Sequence, residues 1–237
     1  MLGLIKRKMN NLLKKNGFQV IKYPDSDLQR RIKLIKYFKI NKIFDVGANI
    51  GQYASLTRKL GYGGQIFSFE PIAAAYTELK TVSEADGQWE TANFALGDFD
   101  GETKINIAKN NTQSSLLPFR SDFAEKTFSH IESINIKRLD SIFETYYKPD
   151  DNIFLKIDAQ GFEGRILHGG EKFLDLVTGI QLELSLLPSY DGVEPYEDLV
   201  NYLKGFGFSI FSIEPGHTDE NGRLMEFDAI FFKEKNI

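Results

Sequence analysis

The sequence predicts an α/β fold with a mostly parallel sheet and helices on both of its faces. Short β-rich runs alternate with helical stretches from residue 43 onward, which is typical of strand–helix–strand units. Apolar residues make up 42% and charged residues 26% of the 237 residues, as in a globular chain with a large core. The chain has no cysteine, so a disulfide framework, a thiolate zinc site and a cysteine nucleophile are excluded.

Charge divides the chain into a basic segment and an acidic body. Residues 1–42 carry twelve basic and two acidic side chains, a balance of +10, whereas residues 43–237 have a balance of −14. We therefore expect a helical extension over residues 1–41 and the α/β domain over residues 42–237. A basic segment of this kind suits either a solvated helix surface or contact with an anionic partner. No apolar run approaches the length of a membrane-spanning helix.

The basic segment is predicted to form two helices. Apolar residues in its first part recur at helical spacing: Leu2, Ile5, Met9, Leu12 and Leu13. Asp25 or Ser26 is suited to cap the second helix. The first helix has two interpretations that stay open, packing on its own domain and a shallow contact with an anionic membrane.

The body of the chain is predicted to continue as alternating strands and helices. Strands are expected at 43–46, 65–69, 89–96, 102–107, 153–157, 179–186, 208–213 and 227–232, and helices at 51–60, 71–83, 163–174 and 196–204. Pro71 is placed at the first position of its helix, where proline is favoured. Residues 108–135 interrupt the pattern and are polar, which is typical of a lid or binding loop.

The first candidate site is the loop that follows the strand 43–46. Gly47 and Gly51 let the backbone turn tightly and approach a ligand, and the helix behind them points free N–H groups at the same place. The spacing is G-x-x-x-G, not the G-x-G-x-x-G of a dinucleotide site. Asp45 would repel a pyrophosphate, so the loop suits a ligand with an amino group and a sugar.

Acidic residues lie in or directly after three other strands. Glu70 ends the strand 65–69, where a carboxylate can accept two hydrogen bonds from a ribose diol. Lys156 and Asp158 point to the same side of their strand end, where buried charges are costly unless they are used or paired. Glu183 lies in an apolar strand, so burial would raise its pKa as a general base requires. A structural bridge between Glu183 and Lys156 is the alternative.

Four motifs together resemble those of the FkbM family of class I S-adenosylmethionine-dependent methyltransferases. They are FDVGANIGQY, FSFEP, NFALGD and FLKIDAQGFEGRILHGG, and the resemblance covers roughly residues 40–235. It implies a Rossmann-like, doubly wound, seven-stranded sheet whose last strand is antiparallel, preceded here by N-terminal helices. It also implies that S-adenosylmethionine is the cofactor.

The resemblance implies cofactor contacts as well. The glycine loop would cradle the methionine part, Glu70 would hold the ribose and Leu96 would lie against the adenine. The expected cofactor-binding residues are Asp45, Gly47, Ala48, Asn49, Gly51, Glu70, Pro71, Leu96, Asp98 and Asp158. Gln160 stands where the family usually has an acid, and an amide is neither a base nor a strong metal ligand.

Methyl transfer to a poorly acidic hydroxyl needs a base or a metal. The expected catalytic residues are Asp158, Lys156, Glu183 and His130, with His168 as a further candidate base. Asp158 and Glu183 could instead share a divalent cation through their oxygens, an interpretation that we do not favour.

The family methylates hydroxyls of sugars, polysaccharide units and natural products, so the expected acceptor is a sugar, a glycan or a glycosylated natural product. The expected substrate-binding residues are Ser114, Ser115, Gln160, Glu163 and Tyr190. A nicotinamide-linked sugar oxidoreductase and a non-catalytic cofactor-binding module are the alternatives. The acidic body disfavours a nucleic-acid partner. We expect a cytoplasmic protein, peripheral at the inner membrane surface if its first helix binds membrane, and leave a homo-oligomer open.

Overall fold

The computed structural model describes residues 23–109, 111–121 and 128–234, and before them residues 5, 9, 12–14 and 16–18. The described strands are β1 (Lys42–Val46), β2 (Gln65–Phe69), β3 (Trp89–Ala92), β4 (Ala95–Gly97), β5 (Gly101–Ala108), β6 (Phe128–Arg138), β7 (Ile153–Ile157), β8 (Val177–Ser185), β9 (Phe208–Pro215) and β10 (Glu226–Lys233). The helices from residue 23 onward are α1 (Ser26–Tyr37), α2 (Gln52–Lys59), α3 (Ala73–Ser83), α4 (Leu139–Tyr146), α5 (Glu163–His168), α6 (Glu171–Leu176) and α7 (Tyr196–Gly205).

A seven-stranded sheet organises the described chain. Its strand order is β3-β2-β1-β7-β8-β10-β9. The pairs from β3 to β8 are parallel, and β10 is antiparallel to both of its neighbours. The predicted Rossmann-like sheet with an antiparallel last strand is therefore confirmed.

The core lies on both faces of this sheet. Every residue of β1 and β7 is buried, as expected for central parallel strands covered on both sides. Successive residues of β1 point to opposite faces, so Ile43 joins one buried cluster while Phe44 joins the other. The two central strands are thereby fixed, and their carboxyl ends have a defined position.

Helix α1 packs on the sheet as part of the same core. Asp25 caps the helix through Oδ1, which accepts the N–H groups of Asp27 and Leu28 at 3.0 and 2.9 Å, so the predicted cap is confirmed. The ring of Phe38, just after α1, stacks on Phe232 of β10 with the ring centroids 3.9 Å apart. Helix α1 is therefore packed against the sheet, and the division of the chain at residue 41 stays a prediction.

The predicted first helix falls mostly on residues that the structure does not describe. Three residues of its expected apolar face, Ile5, Met9 and Leu12, are helical and 57%, 43% and 67% exposed. Among the described residues, no helix combines the length and apolarity needed to cross a membrane.

Two short strands replace the single strand predicted over 89–96. Trp89–Ala92 belongs to the large sheet, while Ala95–Gly97 pairs with β6 in a separate sheet of order β4-β6-β5. The strand β6 begins inside the stretch 108–135, which the sequence predicts to be irregular. Most residues of β6 are not buried, so the strand lacks the apolar alternation that reveals strands in a sequence.

Two helix predictions are also corrected. The helix predicted over 163–174 is divided into α5 and α6, with Gly169 and Gly170 between them. Gly169 packs so closely on Gly97 that a Cβ there would lie 1.8 Å from the carbonyl oxygen of Gly97. The helix after β2 begins at Ala73 with Ile72 as its N-cap, so Pro71 precedes the helix and does not open it.

Candidate active site

The carboxyl ends of the central parallel strands open into a cavity of about 840 Å³. Ligands bind at this edge in open α/β sheets, and the volume is in the range of small-molecule sites. The wall includes the loop after β1, the end of β2, the loop after β7 and the residues 112–116. Part of the segment that interrupts the sequence pattern thus lies at the cavity.

A buried ion pair joins the two central strands beneath this cavity. Asp45 of β1 and Lys156 of β7 are neighbours across the parallel ladder, and the Lys156 Nζ atom lies 3.2 Å from Asp45 Oδ1. Asp45 also accepts a hydrogen bond from the hydroxyl of Ser68 at 3.2 Å. The same Nζ lies 3.4 Å from the carbonyl oxygen of Gly47 and 3.6 Å from Asp158 Oδ2. One ammonium group therefore links the glycine loop with the loop after β7.

This pairing changes the roles predicted for its two members. Burial lowers the pKa of Lys156, but the charges of Asp45 and Asp158 outweigh that effect and raise the pKa above its ordinary value. Lys156 therefore remains protonated and cannot accept a proton from a substrate. Asp45 has no exposed surface and is not part of the cavity wall. A direct contact of Asp45 with the cofactor, as the sequence led us to expect, does not fit this geometry.

The two loop glycines are required by packing against the protein. Gly47 has a φ of +70°, and a Cβ on it would lie 1.8 Å from the carbonyl oxygen of Asp158. Gly51 is the N-cap of α2 with a φ of +87°, and its Cβ would lie 3.0 Å from the ring of Trp89. Gly47, with Ala48 and Asn49, lies on the cavity wall, whereas Gly51 does not. The role of Gly51 is therefore to form the turn.

Glu70 holds the glycine loop and the start of α3 together. Its two carboxylate oxygens accept the N–H groups of Asn49 at 2.9 Å and Ile72 at 2.8 Å. Burial raises the pKa of Glu70 to about 7, although the two N–H donors act in the opposite direction. Each oxygen retains a lone pair for a further donor, so a ribose diol is compatible with this carboxylate. Pro71 also lies on the wall.

An apolar part of the wall lies beyond Glu70. It includes Leu96, Phe162 and Ile166, side chains suited to the face of an aromatic base. Asp98 is not part of the wall and pairs with Arg165 at 2.8 Å. The prediction for Leu96 is compatible with this geometry, whereas the predicted adenine contact of Asp98 is not.

Gln160 connects the two candidate bases. Its Nε2 atom donates to Asp158 Oδ1 at 3.1 Å and to Glu183 Oε2 at 3.0 Å, and its Oε1 atom lies 3.1 Å from the hydroxyl of Tyr190. Gln160 adopts a φ of +54°, a conformation that few side chains favour. Glu183 therefore has an amide partner, and the predicted alternative of a bridge to Lys156 is wrong.

The environment of Glu183 favours its protonated form. Burial, followed by the negative charge of Asp158, raises the pKa of Glu183 well above its ordinary range. The described residues contain no group of three or more His, Asp or Glu placed to hold a metal ion. The amide of Gln160 occupies the position between the two carboxylates, where a shared cation would lie.

The segment 111–121 is fastened to the cavity rim. The Ser115 hydroxyl donates to the backbone carbonyl of Gln160 at 2.7 Å, and the Ser114 hydroxyl accepts the N–H of Ala108 at 3.1 Å. The ring of Phe119 stacks on that of Tyr190 at 5.0 Å. Four of the predicted substrate contacts lie on the wall: Ser114, Ser115, Gln160 and Tyr190.

Two other predicted site residues lie elsewhere. Glu163 is 4% exposed, and its Oε1 atom accepts the N–H groups of Ala159 at 2.8 Å and Gly161 at 3.2 Å, so it shapes the loop and does not reach a substrate. His130 is exposed on β6 and bonded to Ser129 and Glu132. The predicted roles of Glu163 in substrate binding and of His130 as a base do not fit this geometry, since neither residue lies on the cavity wall.

His168, the further candidate base, also lies away from the wall and pairs with Glu194 at 3.0 Å. Sequence reasoning missed several residues that the fold brings to the wall: Arg31, Tyr53, Gln181, Glu226 and Asp228. Tyr53 had a usable signal, since it directly follows the glycine loop. Arg31 had no such signal in the sequence, because its position at the cavity wall depends on how α1 packs on the sheet.

The geometry of the sheet, the glycine loop and the acid after β2 define the class of S-adenosylmethionine-dependent methyltransferases. The model of the methyltransferase FkbM domain matches residues 45–210. The chain therefore belongs to the FkbM methyltransferase family, and the alternatives of a nicotinamide-linked oxidoreductase and a non-catalytic module are not supported. No curated protein matches the chain.

Solved structures are similar in fold. An uncharacterised protein of Listeria monocytogenes serotype 4b matches with a TM-score of 0.50 and 13% identity, over 90% of this chain and 69% of that protein. TehB of Haemophilus influenzae matches with a TM-score of 0.49 and 13% identity, over 94% of this chain. This chain spans 65% of the length of TehB. Fibrillarin of Aeropyrum pernix, solved with S-adenosyl-L-methionine, matches with a TM-score of 0.46 and 10% identity, over 81% of this chain and 66% of that protein.

The pKa of Glu163 predicts a specific effect of pH on stability. Burial raises this pKa from an ordinary value of 4.5 to about 7, so between these values the unfolded state binds fewer protons than the folded state. The contribution of Glu163 to the free energy of unfolding therefore falls as the pH rises from about 4.5 to about 7. Glu163→Gln keeps the accepting Oε1 atom and removes the charge, so we expect it to gain stability relative to the wild type over this interval.

Urea denaturation at pH 5 and pH 8 measures this effect. The exposed Glu84 is the matched control, and Glu84→Gln should change stability equally at the two pH values. A Glu163→Gln variant that loses stability relative to the wild type as the pH rises would contradict the assignment.

Proposed function

We propose that the chain is an O-methyltransferase that methylates a hydroxyl of a sugar, a glycan or a glycosylated natural product. The observation that supports this most strongly is the arrangement of Asp158, Gln160 and Glu183 on the cavity wall. It offers carboxylate oxygens for a hydroxyl proton at the strand ends, next to the loop that the family assigns to the methyl donor.

The residues on the wall fit S-adenosylmethionine in four respects. Glu70 has lone pairs free for the ribose hydroxyls, and Leu96 and Phe162 offer apolar surface to the adenine. Backbone N–H groups at the start of α2, which follows Gly51, suit the methionine carboxylate. The carboxylates of the wall also complement the positive charge of the sulfonium. Bound there, the cofactor supplies an electrophilic methyl group.

The protein must orient the acceptor and receive its proton. The Asp158 side chain is 38% exposed, so an acceptor hydroxyl can reach it. Gln160 fixes Oδ1 of Asp158 while Lys156 lies 3.6 Å from Oδ2. Asp158 would take the hydroxyl proton as the acceptor oxygen receives the methyl group that S-adenosylmethionine would supply, with S-adenosylhomocysteine as the leaving product. Positioning and proton removal are what this transfer requires of the enzyme.

Glu183 is the protonated partner of Asp158 in this scheme. Burial and the negative charge of Asp158 raise the pKa of Glu183, so Glu183 keeps its proton under conditions where an isolated carboxyl group would lose it. In its protonated form Glu183 can donate a hydrogen bond to the acceptor while Asp158 takes the hydroxyl proton.

The polar rim supports a polyhydroxylated acceptor. Ser114, Gln113 and Gln160 contribute hydroxyl and amide groups to the wall, and Tyr190 contributes an aromatic ring beside them. Alternating donors and acceptors satisfy the hydroxyls of a sugar, and an aromatic face covers its C–H groups.

An acceptor screen tests the proposal. The purified chain is incubated with S-adenosylmethionine and a panel of nucleotide sugars, glycans, peptides and nucleic acids, and formation of S-adenosylhomocysteine is followed together with the mass of each acceptor. We expect a gain of one methyl group on a carbohydrate hydroxyl. Turnover restricted to the peptide or nucleic-acid acceptors would overturn the proposal.

The role of Asp158 is tested by Asp158→Asn. The amide keeps the size of the side chain but cannot take a proton, so we expect turnover to fall at least 100-fold, since general base catalysis contributes about 10² to 10⁴. The affinity for S-adenosylhomocysteine, measured by calorimetry, should change little. A variant that loses cofactor affinity in proportion to activity would reassign Asp158 to cofactor binding.

We also propose that the first helix contacts the anionic inner membrane surface, where glycolipid acceptors would lie. Ile5, Met9 and Leu12 are exposed, and residues 1–42 have a charge of +10, a combination suited to anionic lipid. Deleting residues 1–17 should abolish co-sedimentation with anionic liposomes while leaving cofactor affinity intact. Equal co-sedimentation of the full and truncated chains would contradict this proposal.

A further inference from the structure

Arg31 is the residue of α1 that reaches the cavity wall. Its side chain is 11% exposed and forms an ion pair with Glu214 of β9. Its guanidinium lies 5.4 Å from the centre of the Tyr53 ring. Because Tyr53 is the second residue of α2, Arg31 lies beside the start of that helix, directly after the glycine loop.

Arg31 retains hydrogen-bonding capacity toward the cavity. Glu214 accepts from Nε and Nη2 of the guanidinium. The Nη1 group has no hydrogen-bond partner among the described residues. An arginine held by a carboxylate on one edge in this way has fixed geometry and still presents donors on its other edge. The ion pair with Glu214 therefore positions the guanidinium and leaves its Nη1 group available to a ligand.

Lys156, the other buried cation near Tyr53, already interacts with three acceptors of the protein. Its Nζ lies 5.4 Å from the same ring, but on the side occupied by Asp45 and Asp158 and by the carbonyl oxygen of Gly47. A carboxylate that approached Lys156 would meet these three acceptors. Of the two cations, Arg31 is thus the one with donors available to an anion.

The positive charge of Arg31 is significant because the rest of the wall is acidic. Carboxylates from β2, β7, β8 and β10 line the cavity: Glu70, Asp158, Glu183, Glu226 and Asp228. They attract the sulfonium and the α-amino group of the methyl donor but repel its α-carboxylate. The donor therefore needs a local positive site for that carboxylate, at the end of the cavity where α2 begins.

We infer that Arg31 binds the α-carboxylate of S-adenosylmethionine through its Nη1 edge, together with the N-terminus of α2. The helix of the basic segment then completes the cofactor site of the following domain. This inference rests on the use of S-adenosylmethionine and does not depend on which acceptor is methylated, so a failed carbohydrate screen leaves it standing.

Binding measurements on Arg31→Met test the inference without turnover. Calorimetry compares S-adenosylmethionine with decarboxylated S-adenosylmethionine, which differ only in the carboxylate. We expect the wild type to prefer the carboxylated form. Arg31→Met should weaken its binding about 10- to 100-fold, in keeping with a hydrogen bond between charged groups, and change the decarboxylated form less than twofold.

Two further variants separate binding from folding. Arg30→Met is the matched control, because Arg30 lies on the same helix, bonds to Asp27 and Ser212 and is not part of the wall. Glu214→Gln breaks the ion pair but keeps the guanidinium, and thermal unfolding reports whether each variant is folded. Arg30→Met should retain the full preference for the carboxylated form, and Glu214→Gln should retain a smaller preference, because the guanidinium is present but no longer held in place.

Three results would overturn the inference. Equal weakening of both ligands by Arg31→Met would show a structural role. Unchanged affinity for both would show that the guanidinium does not touch the donor. Unchanged donor affinity with a raised KM for the acceptor would assign Arg31 to an acidic group of the acceptor.

Discussion

The ion pair between Asp45 and Lys156 is the interaction on which the geometry of the site depends. It lies in the ladder between β1 and β7, and the same ammonium reaches the carbonyl of Gly47 and the carboxylate of Asp158. A buried pair of this kind adds little net stability. Loss of either partner would leave an unpaired buried charge, so the pair fixes the two loops relative to one another.

The acidic residues of the site have two different roles, which depend on their surroundings. Glu70 and Glu163 accept backbone N–H groups and shape loops, while Asp158 and Glu183 share one amide and face the cavity. Burial raises the pKa of Glu70 and Glu163 to about 7. Each loop is thus held by a group that is costly to bury charged, which links the shape of the site to pH.

Much of this arrangement was predictable from the sequence, because it is set by local chemistry. The glycine loop, Glu70, and the pair Lys156 and Asp158 follow from residue types at strand ends, and the family match over residues 45–210 supports the class. The failures share a cause, since they depend on packing between distant segments. Asp45 and Glu163 are acids beside the right loops whose side chains turn inward, and Arg31 reaches the wall only because α1 packs on β9 and β10. The spacing of residues along a sequence does not indicate such contacts between distant segments.

A crystal structure with S-adenosylhomocysteine and a carbohydrate acceptor is the most direct test of the central claim, that one cavity brings the methyl donor and the hydroxyl together at Asp158. The account predicts the ribose hydroxyls within hydrogen-bond distance of Glu70, the sulfur facing Asp158, and an acceptor hydroxyl bonded to Asp158 or Glu183. Binding of the nucleoside away from Glu70, or of the acceptor with no hydroxyl near either carboxylate, would contradict it.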